Sequence, residues 1–326
     1  MTICIFPDSR HCTKGRNVRS DGLLVRFCDI AIFFSVWYLV TDDISGNRYA
    51  EVAGKILYTA DPKKSRHVLL FRCLFSGRGR VTQKEKPICK TITFSCDGLV
   101  LKGVLHLPGN PQPPVVIGAH GLFSSGSSPK QIALAERCQQ YGIAFFRLDH
   151  RGCGDSQGVF SKVTSLEARC NDLRCAVNTI LSRDDTGNKF GLFGSSLGGT
   201  VCIASASQLR ASAFVTVAAP VRIRSNTRVI EAIEKSADAA IPDASFFQKN
   251  LLFDISENIS DAREILIFHG DTDEVIPVSH AREIWQKAGG EKKLIIQKGG
   301  DHRISHEAHQ EQFIREASDW LRTHLL

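Results

Sequence analysis

From residue 88 onward the chain alternates between short, almost wholly apolar runs and longer stretches whose apolar residues recur at helical spacing. The runs are PVVIGAH (114–120), AFFRLD (144–149), KFGLFG (189–194), AFVTVAA (213–219), EILIFHG (264–270) and KLIIQKG (293–299). Runs this short suit strands buried on both faces better than helices. The stretches between them predict helices over 129–141, 165–181, 197–208, 279–288 and 305–324, which supply the crossovers that parallel strands need. Two earlier segments, KTITFS and LVLKGVLHLP, are joined by Cys96, Asp97 and Gly98 and read as a hairpin, because Asp-Gly suits its bend. The predicted class is α/β: a mostly parallel central sheet with helices on both faces.

Residues 1–87 show no such alternation and read as an N-terminal extension to a single domain over 88–326. The extension holds the apolar stretch DIAIFFSVWYLV (29–40), of which 11 residues from Ile30 carry no charge. A spanning helix needs about 20, and extending backward meets Asp29 and Arg26, at about 3 kcal/mol each at mid-bilayer. TDDISGN beyond it is a poor signal-cleavage site. The stretch is expected to pack on the main domain, and it is the one place where membrane association stays open.

Charge and cysteine usage narrow the partners. The net charge is +7, but residues 1–87 hold 15 Lys and Arg against 8 Asp and Glu, while residues 88–326 hold 26 of each. A neutral body argues against a nucleic-acid enzyme. The 11 cysteines lack a C-x-x-C pair or a metal-ligand spacing, so they read as mostly reduced thiols in a cytoplasmic protein. No cofactor is expected.

The chemistry is concentrated where strands end. GLFGSSLGG (191–199) contains G-x-S-x-G over Gly194–Gly198, with Ser196 at its centre and Ser195 in the variable position. Glycines two residues either side leave room for a serine on a tight strand-to-helix turn. A serine nucleophile needs a base, and the base a carboxylate to hold its tautomer. IFHGDTDEVIP (267–277) offers Asp271, Asp273 and Glu274, and GGDHRISHEAH (299–309) offers His302, His306 and His309. The three histidines at i, i+4 and i+7 also suit a metal site on one helical face, but Gly299 and Gly300 keep His302 in a turn.

With these motifs at four strand ends, residues 88–326 resemble the α/β-hydrolase superfamily, in its serine-nucleophile branch. The resemblance implies Ser196 as nucleophile. It places the acid on Asp273, from H-G-x-x-D-x-x-[VI]-P, and the base on His302, from G-x-D-H. It implies an oxyanion hole from the N–H groups of Leu197, at the elbow, and Leu122, in the loop that follows VVIGAHG. That loop lacks the H-G-G-G of hormone-sensitive-lipase-like esterases. DHRGCGDS (149–156) matches a loop whose role in the superfamily is mainly structural, so Arg151 and Asp155 are not expected to be catalytic. The strandless stretch over about 221–262 stands where such enzymes carry a small helical cap. Its Phe246, Phe247, Leu251, Leu252 and Phe253 are candidates to line an acyl or alcohol pocket, or simply to seat the cap. The combination looks most like cinnamoyl-esterase-like and serine-aminopeptidase-like hydrolases. The expected activity is hydrolysis of a small-molecule carboxylic ester or thioester through an acyl-enzyme. The alternatives are a peptidase or amidase on the same triad, an acyltransferase, or a non-catalytic relative.

Overall fold

The computed structural model describes residues 87–224 and 249–326 in full and, of the first 86, the backbone of five short strands. The chain divides into two units, Met1–Gln83 and Lys84–Leu326. In the first, Leu23–Phe27 and Ile30–Phe34 form an antiparallel hairpin, and Val40–Asp42, Arg48–Ala50 and Gly79–Arg80 form a three-stranded sheet. Ile30–Phe34 is thus a strand, and residues 35–39 of the same stretch lie outside the described residues. Among the described residues no helix is long and apolar enough to cross a membrane.

The second unit opens with β1 (Ile88–Cys96) and β2 (Leu99–Leu107), paired antiparallel around Asp97 and Gly98. Both turn residues have positive φ, 49° and 77°, as a two-residue hairpin turn of this hand requires. There follow β3 (Val115–Ala119), β4 (Ala144–Asp149), β5 (Phe190–Ser195), β6 (Ala213–Val217), β7 (Ile265–Gly270) and β8 (Lys292–Gln297). The order across the eight-stranded sheet is β8-β7-β6-β5-β3-β4-β2-β1, with β3 to β8 parallel and β2 antiparallel to its neighbours.

Period-two alternation sends successive side chains to opposite faces. Val116, Phe145, Phe193, Val215 and Phe268 pack against α1 (Pro129–Gln140) and α5 (Glu307–Leu325). Ile117, Phe146, Leu192, Phe214 and Ile267 pack against α2 (Leu166–Leu181), α3 (Leu197–Ala204) and α4 (Ser279–Lys287). Two apolar layers explain why these strands read as continuous apolar runs. The helices begin where local chemistry allows: Pro129 occupies the first turn of α1, and the Ser165 side chain accepts the Ala168 N–H at 3.0 Å to cap α2.

The cysteines, expected to be mostly reduced, include one bonded pair among the described residues. Cys96, at the end of β1, is disulfide-bonded to Cys175 on α2, across 79 residues of sequence and a Cα separation of 5.9 Å. Among the described residues Cys89, Cys138, Cys153, Cys170 and Cys202 are free. The pairing arises because the hairpin end packs on the helix, a proximity that cysteine spacing does not encode.

After β6 the described residues of the stretch over 221–262 form a short ladder. Arg222–Ile223 pairs antiparallel with Phe253–Asp254, and the Arg222 guanidinium bonds Asp254 at 3.0 Å and Glu283 on α4 at 2.5 Å. The helical character expected of the cap, with Phe246 and Phe247, lies outside the described residues.

Candidate active site

In open α/β sheets ligands bind beyond the carboxyl ends of the strands, and the five predicted site residues, Ser196, Asp273, His302, Leu122 and Leu197, converge there. Ser196 stands between β5 and α3 with φ 52° and ψ −124°, a conformation that costs a non-glycine residue about 1–3 kcal/mol. The turn is fixed by the Ser196 N–H donating to the Val217 carbonyl at 2.7 Å. It is also fixed by close backbone contact. A Cβ on Gly194 would collide with the Gly198 carbonyl, and one on Gly198 with the Ala119 carbonyl. Both glycines of the motif are therefore required by the approach of β5, α3 and β3.

The loops after β7 and β8 supply a carboxylate and an imidazole. His302 Nε2 lies 3.1 Å from Ser196 Oγ, and His302 Nδ1 lies 2.9 and 3.1 Å from the two oxygens of Asp273. The carboxylate makes Nδ1 the donor, which leaves the Nε2 lone pair facing the serine hydroxyl. Asp273 also accepts the N–H groups of Val275 at 2.9 Å and Ile276 at 2.7 Å. Burial alone would raise its carboxyl. The bonds from His269 and His302, the His302 charge and the Ile276 N–H outweigh it and hold the group well below the ordinary carboxylate range. The other two acids are turned elsewhere: Asp271 accepts the Gly299 N–H at 2.6 Å, and Glu274 the His302 backbone N–H at 3.3 Å.

His269, in β7, is fully buried, with Nε2 3.2 Å from Asp273 and 2.8 Å from the Ile276 carbonyl. It locks the Asp273 loop from behind, a role the sequence reading did not assign. The rings of His306 and His309 lie 5.2 Å apart, tilted by 51°, at the start of α5. Among the described residues no group of three or more His, Cys, Asp or Glu can hold a metal ion.

Across the cavity, His120-Gly121-Leu122 follows β3 and lies close to the elbow: a Cβ on Gly121 would stand 3.5 Å from that of Ser196. Arg169 of α2, which is fully buried, ties this loop down. Its guanidinium donates to the carbonyls of His120, Gly121 and Leu122 at 3.4, 3.2 and 2.9 Å. The His150 N–H donates to His120 Nε2 at 3.1 Å, so His120 carries its proton on Nδ1 and donates it to the Gly121 carbonyl at 2.7 Å. Burial pushes His120 well below its usual pKa and keeps it neutral. The carbonyls are thus directed away from the cavity, which Leu122 and Leu197 line.

Arg151 and Asp155 play no part in this cavity. Arg151 bridges Asp172 and Asp97, at 2.7 and 2.8 Å, while the Asp155 N–H donates to Asp149 at 3.1 Å. Of the apolar candidates, Leu251 is buried and lines the cavity, Leu252 is 40% exposed and does not, and Phe253 packs at the margin of the core. The cavity has a volume of about 650 Å³. Its apolar wall is the cluster of Leu122, Leu197, Ile223, Leu251, Val275 and Ile276.

Residues 110–265 match the sequence profile of the family described as serine aminopeptidase, S33. The fold of Est1E from Butyrivibrio proteoclasticus, in its structure with ferulic acid bound, superposes with a TM-score of 0.61. It does so at 19% identity, over 72% of this chain and 98% of that one. The chain has the fold of the α/β hydrolases. It is 27% identical to protein YfhR of Salmonella typhi over 222 residues, which are 65% of this chain and 74% of that protein. It is 25% identical over 218 residues to the mitochondrial palmitoyl-protein thioesterase ABHD10 of Mus musculus, over 60% of this chain and 71% of the other. The profile includes Ser196 but ends before Asp273 and His302.

Proposed function

We propose that the protein hydrolyses carboxylic esters or thioesters of small molecules, with Ser196 as nucleophile, His302 as general base and acid, and Asp273 as the carboxylate that orients His302. The observation that carries this reading is the unbroken chain of bonds from Asp273 through His302 Nδ1 and Nε2 to Ser196 Oγ, at 2.9 and 3.1 Å. Ser196 Oγ attacks the substrate carbonyl as His302 Nε2 takes its proton. The oxyanion meets the N–H groups of Leu122 and Leu197. His302 returns the proton to the leaving alcohol or thiol, and water releases the acid from Ser196 by the same route. Asp273 stays ionised throughout, in keeping with its depressed carboxyl.

The thioesterase among the relatives and the ferulic-acid complex among the fold neighbours both support an acyl substrate. The matched family's description supports an amide as the second reading. Labelling with a fluorophosphonate separates the possibilities from inactivity. It is followed by turnover of 4-nitrophenyl esters of rising acyl length, their thioester counterparts and aminoacyl 4-nitroanilides. Wild type should label and cleave esters, whereas Ser196→Ala should do neither, its kcat falling by several orders of magnitude, about 10⁶-fold in a well-measured triad. Ser195→Ala should remain active. Faster turnover of the anilides would favour the peptidase reading, and neither labelling nor turnover of any substrate would overturn the hydrolase reading.

A further inference from the structure

The cavity contains a cation that neither the proposed chemistry nor the fold uses. Lys130 is the second residue of α1 and lines the same cavity as Ser196 and His302. Among the described residues it makes no ion pair and no hydrogen bond. The carboxylates that act on it from a distance are Asp301 and Asp273, and both are committed elsewhere. Asp301 accepts the Ser305 N–H at 2.7 Å and the Ser305 hydroxyl at 2.6 Å. Asp273 accepts from His302, His269, Val275 and Ile276. Glu274, which also lines the cavity, faces the His302 backbone.

Lysines normally keep their ammonium in water along an extended stem, and charges taken out of water are normally paired. Lys130 is partly buried and has no partner among the described residues, and burial pushes its ammonium down to about 8, which leaves it mostly protonated at neutral pH. Its surroundings favour negative charge further. It stands at the positive end of the α1 dipole, beside Ser128, whose side chain makes no capping bond and which also lines the cavity.

Resting on the ester-hydrolase reading, we infer that Lys130 receives an anionic group of the substrate, so that the preferred ester carries a carboxylate or phosphate besides its scissile carbonyl. The apolar wall of Leu122, Leu197, Ile223 and Leu251 then holds the remainder of the molecule.

Two matched pairs of esters test this and show on which side the charge lies. On the acyl side, mono-4-nitrophenyl glutarate is compared with 4-nitrophenyl butyrate. On the leaving-group side, 4-butyryloxybenzoate is compared with its methyl ester. In at least one pair the wild-type kcat/KM should favour the anion by about 10- to 100-fold, the range of one hydrogen bond to a charged group. Lys130→Met should bring that ratio to about 1, and Lys130→Arg should retain more of it than Met does. The wild-type ratios do not depend on either variant folding. Ratios near 1 in both wild-type pairs, or a preference that survives in Lys130→Met, would overturn the inference while leaving ester hydrolysis standing. Failure of wild type to cleave any of the four esters or to take the fluorophosphonate would instead remove the reading on which it rests.

Discussion

The two walls that face each other across the cavity are built on opposite terms. On the His302 side the polar groups close on one another: Asp273 meets donors from His302, His269, Val275 and Ile276, and His302 reaches Ser196. On the loop side Arg169 and His120 bind the carbonyls, while among the described residues Lys130 has no partner. A closed network fixes geometry, because each donor and acceptor restrains the next. An open cation is a demand that a ligand can meet. On the proposed reading the first wall holds the catalytic groups, and the second receives charge, both of the oxyanion and of the substrate.

The closed wall gives the largest effect to measure. Asp273→Asn replaces an acceptor with a group that also donates, so His302 loses the partner that holds its proton on Nδ1. The kcat for ester hydrolysis should fall by roughly 10⁴-fold, as in well-measured triads. Asp271→Asn, at a carboxylate that accepts the Gly299 N–H, should cost less than about tenfold, an effect confined to loop positioning. Equal losses at the two positions would mean that the closed network is centred on the wrong carboxylate.

The loop wall predicts a smaller effect of a different kind. Among the described residues Arg169 hydrogen-bonds the backbone of residues 120–122 and the Cys153 thiol, so we propose it as a positioning residue. Arg169→Met should lower kcat by about 10- to 100-fold, below the 10²–10³ measured for outright removal of an oxyanion donor, with KM changed little. Arg169→Lys should restore part of that loss. A merely structural Arg169 would lower the melting temperature in both variants without splitting kcat from KM, so thermal unfolding run beside the kinetics separates the two roles.

The contrast between the walls also explains what the sequence made legible. The strands of the sheet were visible because burial on both faces leaves continuous apolar runs, as in Val115–Ala119 and Ile265–Gly270. Ser196 was visible because its tight turn excludes a Cβ at Gly194 and Gly198. Arg169 was not, because its partners are main-chain carbonyls some 48 residues away, which carry no residue signature. A signal was nonetheless present: with Leu166, Leu173, Ala176 and Ile180 the arginine falls on the apolar face of α2, where a charge demands a buried partner. Lys130 had no equivalent sign, since a lysine early in a helix ordinarily faces water. The Cys96–Cys175 bond and the short ladder of Arg222–Ile223 with Phe253–Asp254 depend on packing between distant segments that local patterning does not reach.

The smallest expected effect comes from removing residues 1–83, which form a unit of their own by backbone contacts. Every group in both walls lies within Lys84–Leu326: the serine, the histidine and its carboxylate, the loop at 120–122, and the two cations at 130 and 169. The second unit also contains the whole eight-stranded sheet and both of its apolar layers. We propose that the N-terminal unit is dispensable for chemistry. A chain beginning at Lys84 should then keep kcat/KM for 4-nitrophenyl esters within about threefold of the full chain, a difference of well under 1 kcal/mol in transition-state stabilisation. Denaturant unfolding of the two chains should differ by less than about 3 kcal/mol, a modest share of ordinary domain stability. A larger loss of stability, or insolubility of the shorter chain, would show that the apolar stretch from Ile30 covers part of the hydrolase body. A selective change in the anionic-to-neutral ester ratio would show instead that the N-terminal unit acts on the wall that contains Lys130.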